Sequence, residues 1–392
     1  MRIAVTGLGV VSALGVGLEE NFAALVAGRS GISLTPSLLQ SSHRIPVGEL
    51  SLSNEELHRR CSLEPKGHLS RTALLGILAV REALRDAGLT DLRRVGLVSA
   101  TSVGGMDLTE HFFRLFKEDE RSGRLRDVRM HDCAASTEAI AYHCGLGGYR
   151  TTISTACSSA ANAIMHGAKL LRHGVVDAVV VGGTDALSAF TLNGFKSLMI
   201  LDEKPCRPFD ESRAGLNLGE GAGYLLLQRA EALQRDPYCY VAGAANSNDA
   251  HHQTASSEEG EGAFLAMSEA LRRAELTPTD VDYINVHGTG TGNNDRSEGA
   301  ALKRLFGEQL PPFSSTKGFT GHTLAAAGGI EAVYAALSIA RGVIYPNLGF
   351  ATPIEGFGVA PVTTLQRVDV RTVISNSFGF GGNCSSLVLT QQ

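Results

Sequence analysis

Apolar residues fall along this chain in short β-branched runs that alternate with stretches of helical spacing. Strand-length runs lie at Arg2 to Thr6, Arg94 to Ala100, Asp177 to Val181, Gly223 to Leu227, Asp282 to Val286, Thr372 to Ser375 and Leu387 to Leu389. Between them, Glu19 to Ala27, Ser70 to Ala87, Ser159 to Leu171, Ala263 to Ala274, Ser297 to Phe306 and Leu324 to Ala340 repeat apolar positions as helices do. Strand followed by helix, repeated throughout, predicts an α/β fold whose sheets are covered by helices. Gly88 and Gly174 stand just past helical stretches as C-terminal caps do, and Thr277 to Asp280 has the composition of a turn.

The segment GAGYLLLQRAEALQRDPYCYVAGAAN reads as hairpin-like and closes one series of elements near Arg235 to Tyr240. It divides the chain into residues 1–240 and 241–392. No linker rich in Pro, Ser or Gly separates the two, so one compact body is expected. At 392 residues the chain exceeds the usual single-domain size, which suits two similar halves sharing a core. No repeat in the sequence itself proves a duplication.

Composition removes several classes of function. A net charge of −5 gives no general attraction to nucleic acid or to an anionic membrane. The opening MRIAVTGLGVVSALG reads as a first core strand, not as a secretory leader, and no uninterrupted apolar run of about 18 residues is evident, so membrane insertion is not expected. Seven cysteines without a Cys-x-x-Cys pair fit free thiols in a reducing, cytoplasmic setting better than a disulfide framework or a zinc site.

Three segments carry chemistry. In TTISTACSSAANAIMHGAKLL a β-branched run enters a helix, with Cys157 at the junction among small neighbours. A thiol there faces unpaired backbone N–H groups and the positive end of the helix dipole, which favour thiolate. In DYINVHGTGTGNND a buried-strand pattern stops at His287 and opens into a Gly/Thr loop, where α/β proteins carry functional groups. FSSTKGFTGHTLAAAGGIEAV sets Lys317 and His322 ahead of a small-residue helix bearing Glu331. Each alone has a bland reading, as a buried structural cysteine, a satisfied core histidine or a surface pair; together they form a nucleophilic constellation. Gly7-Leu8-Gly9 lacks the third glycine of a dinucleotide fingerprint, no phosphate-loop motif exists, and His251-His252 has no metal-site frame and is assigned to a loop. A cysteine protease would ask for one histidine steered by Asn or Asp, whereas two histidines and a lysine stand here.

On TACSSA, CRPFDESRAGLNLGEGAG, VHGTGT, KGFTGHTLAAAGGIEA and SNSFGFGGN, in that order, the chain resembles the β-ketoacyl-acyl-carrier-protein synthases over nearly its whole length. The resemblance implies a thiolase-like fold, a duplicated αβαβα layered sandwich, with the nucleophile in residues 1–240 and both histidines in 241–392. It implies a decarboxylative Claisen condensation of an acyl-thioester primer with malonyl-acyl-carrier protein in fatty acid or polyketide elongation. Cys157 then looks like the acyl acceptor, His287 and His322 the pair serving decarboxylation and condensation, and Lys317 and Glu331 their charged support. The N–H groups of Cys157 and Phe380 would form the oxyanion hole, Thr289 and Thr291 would contact the pantetheine arm, and Phe378 and Phe380 would contact substrate, with Phe380 on a gating loop; Val103 and Met106 are placed by position in the acyl pocket or at a dimer contact, with packing as the other reading.

The resemblance implies no cofactor beyond the phosphopantetheine arm that the carrier protein brings, and a homodimer or a heterodimer with a chain-length-factor-like subunit. Lys66, Arg71, Arg121, Arg124 and Arg126 are candidates for docking an acidic carrier protein. Asn383 stands where the family commonly has Thr, and Gly292-Asn293-Asn294-Asp295 where it commonly has Pro, which suits a specialised pathway. Alternatives are a thiolase-like acyltransferase using coenzyme A thioesters and a non-condensing partner subunit.

Overall fold

In the computed structural model, which describes residues 1–39, 44–64, 68–233 and 235–392, ten strands carry the architecture. The first five are β1 (Ile3–Ser12), β2 (Val95–Ala100), β3 (Arg150–Ile153), β4 (Ala178–Asp185) and β5 (Gly221–Arg229). The second five are β6 (Cys239–Asn248), β7 (Tyr283–Asn285), β8 (Phe313–Ser314), β9 (Thr372–Gly379) and β10 (Asn383–Thr390). Six helices layer them: α1 (Arg71–Ala87), α2 (Cys133–Cys144), α3 (Ser159–Arg172), α4 (Glu261–Ala274), α5 (Gly292–Phe306) and α6 (Ala327–Arg341).

Strand order exposes a duplication that the residues conceal. The first half runs β3-β2-β4-β5-β1 across the sheet, and the second runs β8-β7-β9-β10-β6, the same permutation. Sense agrees as well: β2 is parallel to β3 and β4, as β7 is to β8 and β9, while β4/β5, β5/β1, β9/β10 and β10/β6 are antiparallel. Helices fall at equivalent places, so that α1, α2 and α3 of the first half match α4, α5 and α6 of the second.

Layering follows from what each helix touches. α1 packs on β1, β5 and β4, and α4 packs on β6 and β10, so each covers the outer face of its own half. α3 and α6 meet strands of both halves and each other, and they form the middle layer. In α6 every residue from Ala327 to Ile339 is buried, as a helix apolar on all sides requires. The result is the α/β sandwich of helix, sheet, helix, sheet and helix.

Several sequence expectations need correction. β5 and β6 do not form a hairpin: both run antiparallel to β1 and flank it on opposite sides, β6 through Ala4–Tyr240 and Val5–Cys239. The segment between them therefore crosses from one half to the other. Leu324–Arg341 is 18 residues long with a mean hydropathy of 1.2, enough by length and composition to cross a membrane, although Glu331 and Arg341 interrupt its apolar run. It is 89% buried between the layers, which marks it as a core helix. α5 starts five residues before the predicted Ser297, because the Thr291 side chain caps it by accepting from Asn294 N–H.

Candidate active site

All three chemical segments leave the carboxyl ends of parallel strands, where crevices form in α/β folds. Cys157 follows β3, His287 follows β7, Lys317 and His322 follow β8, and Phe378 closes β9. Cys157 and His322 occupy corresponding connections of the two halves, each ahead of a middle-layer helix. Those helices touch near their first turns. A Cβ on Gly328 would lie 3.1 Å from the Ala161 backbone nitrogen, so glycine lets the helix starts converge and brings sulfur and imidazole together.

Cys157 sits in a tight turn. Ala156 has φ +52°, a left-handed conformation costly for a residue with a Cβ, and the Ser159 hydroxyl secures the turn by accepting from Thr155 N–H at 2.7 Å. The sulfur meets the N–H of Phe380 and that of Cys157 itself. His322 Nε2 stands 3.0 Å from Sγ. Burial pushes the thiol up to about 11, against the lowering by Lys317 and by the two N–H groups. The sequence expectation of a dipole-stabilised thiolate is thus reversed in the resting state, because α3 begins only at Ser159 and loss of water outweighs the favourable dipoles.

The two imidazoles stand edge to face, with centroids 5.4 Å apart. Burial, with Lys317 next, holds both well below the ordinary histidine range, so both are neutral. Lys317 Nζ donates to the His287 carbonyl at 2.5 Å, lies 3.3 Å from His287 Nδ1 and pairs with Glu331. An ammonium has only donors, so Nδ1 must accept and the ring proton resides on Nε2. His287 therefore offers Nε2–H. Burial raises the Glu331 carboxyl, opposed by Lys317.

Backbone anchors hold these rings, and the sequence reading did not single them out. Glu298 accepts the N–H groups of His287 and Gly288 at 2.8 Å each, and burial raises its carboxyl to about 7. A signal existed. Asp295, Glu298, Ala301 and Leu302 share the buried face of α5, and an acid at apolar helical spacing calls for partners. The Asn217 carbonyl accepts His322 N–H at 2.7 Å and the His322 carbonyl accepts Gly219 N–H at 2.9 Å, which gives the CRPFDESRAGLNLGEGAG segment its part.

A cavity of roughly 170 Å³ joins Cys157, His287 and His322 to a mouth formed by residues 252–256 and 291–294. Thr289, Thr291, Phe378 and Phe380 line it, with Thr289 and Thr291 hydroxyls 2.9 Å apart. Phe380 opens a turn completed by Gly381 and Gly382 at φ +81° and +76°, and its ring stacks on Phe195. Val103 and Met106 lie outside the cavity. The buried Asp185 carboxylate ties down the N–H groups of Ser102 and Val103, and Val103 packs instead against the apolar cluster that includes Val47, Leu187 and Leu218. Arg71 is no docking residue either: it is buried against Glu220. Arg121, Arg124 and Arg126 are exposed, and Lys66 lies outside the described residues. His251 and His252 are on a loop, with His252 at the cavity mouth.

Among the described residues no group of three or more His, Cys, Asp or Glu is arranged for a metal ion. The model of the β-ketoacyl synthase N-terminal domain matches residues 1–232, and that of its C-terminal domain matches residues 238–351. The 3-oxoacyl-(acyl-carrier-protein) synthase 2 of Vibrio harveyi is 34% identical over 99% of this chain and 98% of its own. The protein of that name from Staphylococcus aureus strain MRSA252 is 33% identical with the same coverage. Among solved structures, the ishigamide ketosynthase/chain length factor superposes with a TM-score of 0.93 at 30% identity, over 99% of this chain and 98% of that one. A ketosynthase in complex with its chain length factor from Xenorhabdus doucetiae gives a TM-score of 0.87 at 31% identity, with the same coverage.

Proposed function

The chain belongs to the beta-ketoacyl synthase family, and from that premise we propose that Cys157 is the acyl acceptor of its carbon–carbon condensation, with His287 and His322 as donors to the second substrate. The protein is an acyltransferase of acyl-carrier-protein-dependent condensation in fatty acid or polyketide synthesis, and it uses the phosphopantetheine-borne substrate without a separate cofactor. The observation that carries the assignment of roles is the 3.0 Å approach of His322 Nε2 to Cys157 Sγ, with the His287 ring beside it in one cavity.

In the first half-reaction the Cys157 sulfur attacks the acyl thioester carbonyl. The developing oxyanion is met by the N–H groups of Cys157 and Phe380, each such donor being worth about 2.7–4 kcal/mol. Because the resting thiol is protonated, its proton leaves as the sulfur attacks and ends on the departing pantetheine thiolate, so that neutral His322 keeps its own Nε2–H for the second step. In the second, malonyl thioester enters and its carboxylate leaves as carbon dioxide. The released electron pair becomes an enolate whose oxygen accepts from Nε2–H of His287 and His322. The enolate carbon attacks the acyl-Cys157 carbonyl, the C–S bond breaks, and the released Cys157 thiolate takes a proton from water. Neutral histidines suit this role, since they donate without having to lose an excess proton. We assign residues 1–240 and 241–392 as the halves carrying sulfur and imidazoles respectively.

The assembly is proposed to be a dimer, either of two copies or with a chain-length-factor-like subunit, working in the cytoplasm. Two of the similar solved structures are themselves ketosynthases associated with chain length factors, which supports the heterodimer. Intact-mass analysis after incubation with acyl-acyl-carrier protein should show one acyl adduct, absent in Cys157→Ala. Malonyl decarboxylation, which needs only the imidazoles, should survive that substitution. An adduct that persists in Cys157→Ala would overturn the assignment.

A further inference from the structure

The two proposed oxyanion donors belong to chain segments far apart in sequence, the turn 155–158 and the β9–β10 connection 379–383. Their backbones run in contact: a Cβ on Gly379 would lie 3.1 Å from Cys157 N and 3.1 Å from Thr155 O. Gly379 pairs with Asn383 across the hairpin, and Phe380 to Gly382 form the turn between them. One side chain links this base to the nucleophile turn. Asn383 Oδ1 accepts the Ser158 hydroxyl at 2.6 Å, Asn246 Nδ2 at 2.7 Å and Asn162 Nδ2 at 3.0 Å. Asn162 also donates to Thr155 Oγ1 at 2.8 Å, so the residues either side of Cys157 are tied to the same amide oxygen. Asn383 itself does not line the catalytic cavity.

We infer that Asn383 is a positioning residue: it fastens the base of the Phe380–Gly382 turn to the Cys157 turn and so fixes the spacing of the two N–H donors. Two glycines at positive φ leave the turn itself free to rearrange about that fixed base, so the glycine-rich loop and the anchored asparagine serve opposite needs. The inference rests on the reading of Cys157 and Phe380 as the oxyanion hole. Misplacing a preorganised donor by about an ångström costs on the order of a hundredfold in rate, which sets the expected size of the effect.

The test compares Asn383→Ala, Asn383→Thr and Ser158→Ala with the unaltered protein in single-turnover acylation of Cys157 by acyl-acyl-carrier protein. Alkylation of Cys157 by iodoacetamide, a displacement that needs no oxyanion hole, runs in parallel. Asn383→Ala should slow acylation at saturating donor by about ten- to a hundredfold, with the half-saturating concentration unchanged and alkylation within about twofold. Threonine keeps an acceptor oxygen and should recover most of the rate. Ser158→Ala removes the other end of the bond, so its loss should not add to that of Asn383→Ala in the double variant. Alkylation falling in step with acylation, a threonine variant no faster than alanine, or additive losses would each overturn the inference. Failure of the unaltered protein to take an acyl group on Cys157 would instead overturn the reading beneath it.

Discussion

Arg71–Glu220 in the first half and Lys317–Glu331 in the second are both buried ion pairs, and they are built to different specifications. Arg71 uses its whole fork: Nε and Nη2 grip Glu220 at 2.8 and 2.6 Å, Nη2 also reaches Leu50 O, and Nη1 reaches Leu52 O and Asn54 Oδ1. Glu220 accepts Leu50 N–H and Leu187 N–H besides. Every polar atom has a partner. Lys317 divides its three donors between Glu331 and His287, and Glu331 Oε2 has no protein partner. A saturated pair ties loops to a sheet, whereas an unsaturated one spends a donor on the tautomer of a ring. The same fold, used twice, thus carries a structural charge pair in one copy and a functional one in the other.

The largest effect expected is on stability. Arg71→Met strands a buried carboxylate and should cost about 3–5 kcal/mol in denaturant unfolding, and adding Glu220→Met should not recover it, because the backbone groups of Leu50, Leu52 and Leu187 stay unpaired. Replacing both Lys317 and Glu331 by Met should be near neutral in the same measurement, since few other groups depend on them. Condensation should nevertheless collapse in that double variant, measured as β-ketoacyl product. Equal stability losses in the two double variants would erase the contrast.

A smaller effect separates anchor from ring. Glu298→Gln sets an amide NH₂ against one of two backbone N–H donors, and loss of that acceptor should lower malonyl decarboxylation by about ten- to a hundredfold, or about 1–3 kcal/mol, while Cys157 acylation is spared. Steady loss of both activities would show that Glu298 supports the fold and not His287 specifically. The smallest effect is in pH dependence. With the thiol raised to about 11, its thiolate fraction grows about tenfold per pH unit, so iodoacetamide alkylation of Cys157 should climb from pH 6 to 9 without a plateau. Lys317→Met removes a charge that lowers the thiol and should slow alkylation at each pH, and Arg71→Met should leave the profile alone. Levelling near neutrality would instead reveal a resting thiolate–imidazolium pair.

Much of this was legible in the residues, and the gaps have physical causes. α1 and α3 match their predicted spans to within a residue at each end: Ser70 caps the start of α1 and Gly88 closes it at φ +68° in the left-handed region, and Gly174, also at φ +68°, stands just past α3. β6 entered the sequence reading only as the far arm of a hairpin, because Cys239–Asn248 is built of small residues, CYVAGAANSN, whose burial comes from α4 and β10 and not from their own bulk. Val103 and Met106 were named by position for the acyl pocket or a dimer contact; neither lines the cavity at Cys157, and Asp185 holds the Val103 backbone. Glu298 left one local signal, an acid at the apolar spacing of α5, and Asn217 left none, because both act on backbone groups of other segments.

What the sequence alone determined is the set of local events: where strands and helices form, where glycine permits a turn, and which three segments carry sulfur, imidazole and ammonium. Spacing along the chain governs those, because periodicity and capping act over a few residues. Only the tertiary structure decided that β5 and β6 flank β1, that two halves repeat one strand order, and that Cys157 is protonated at rest. Those outcomes depend on burial and on meetings between residues far apart in the chain; the same helix start that favours a thiolate in water loses to desolvation once the middle layer closes over it.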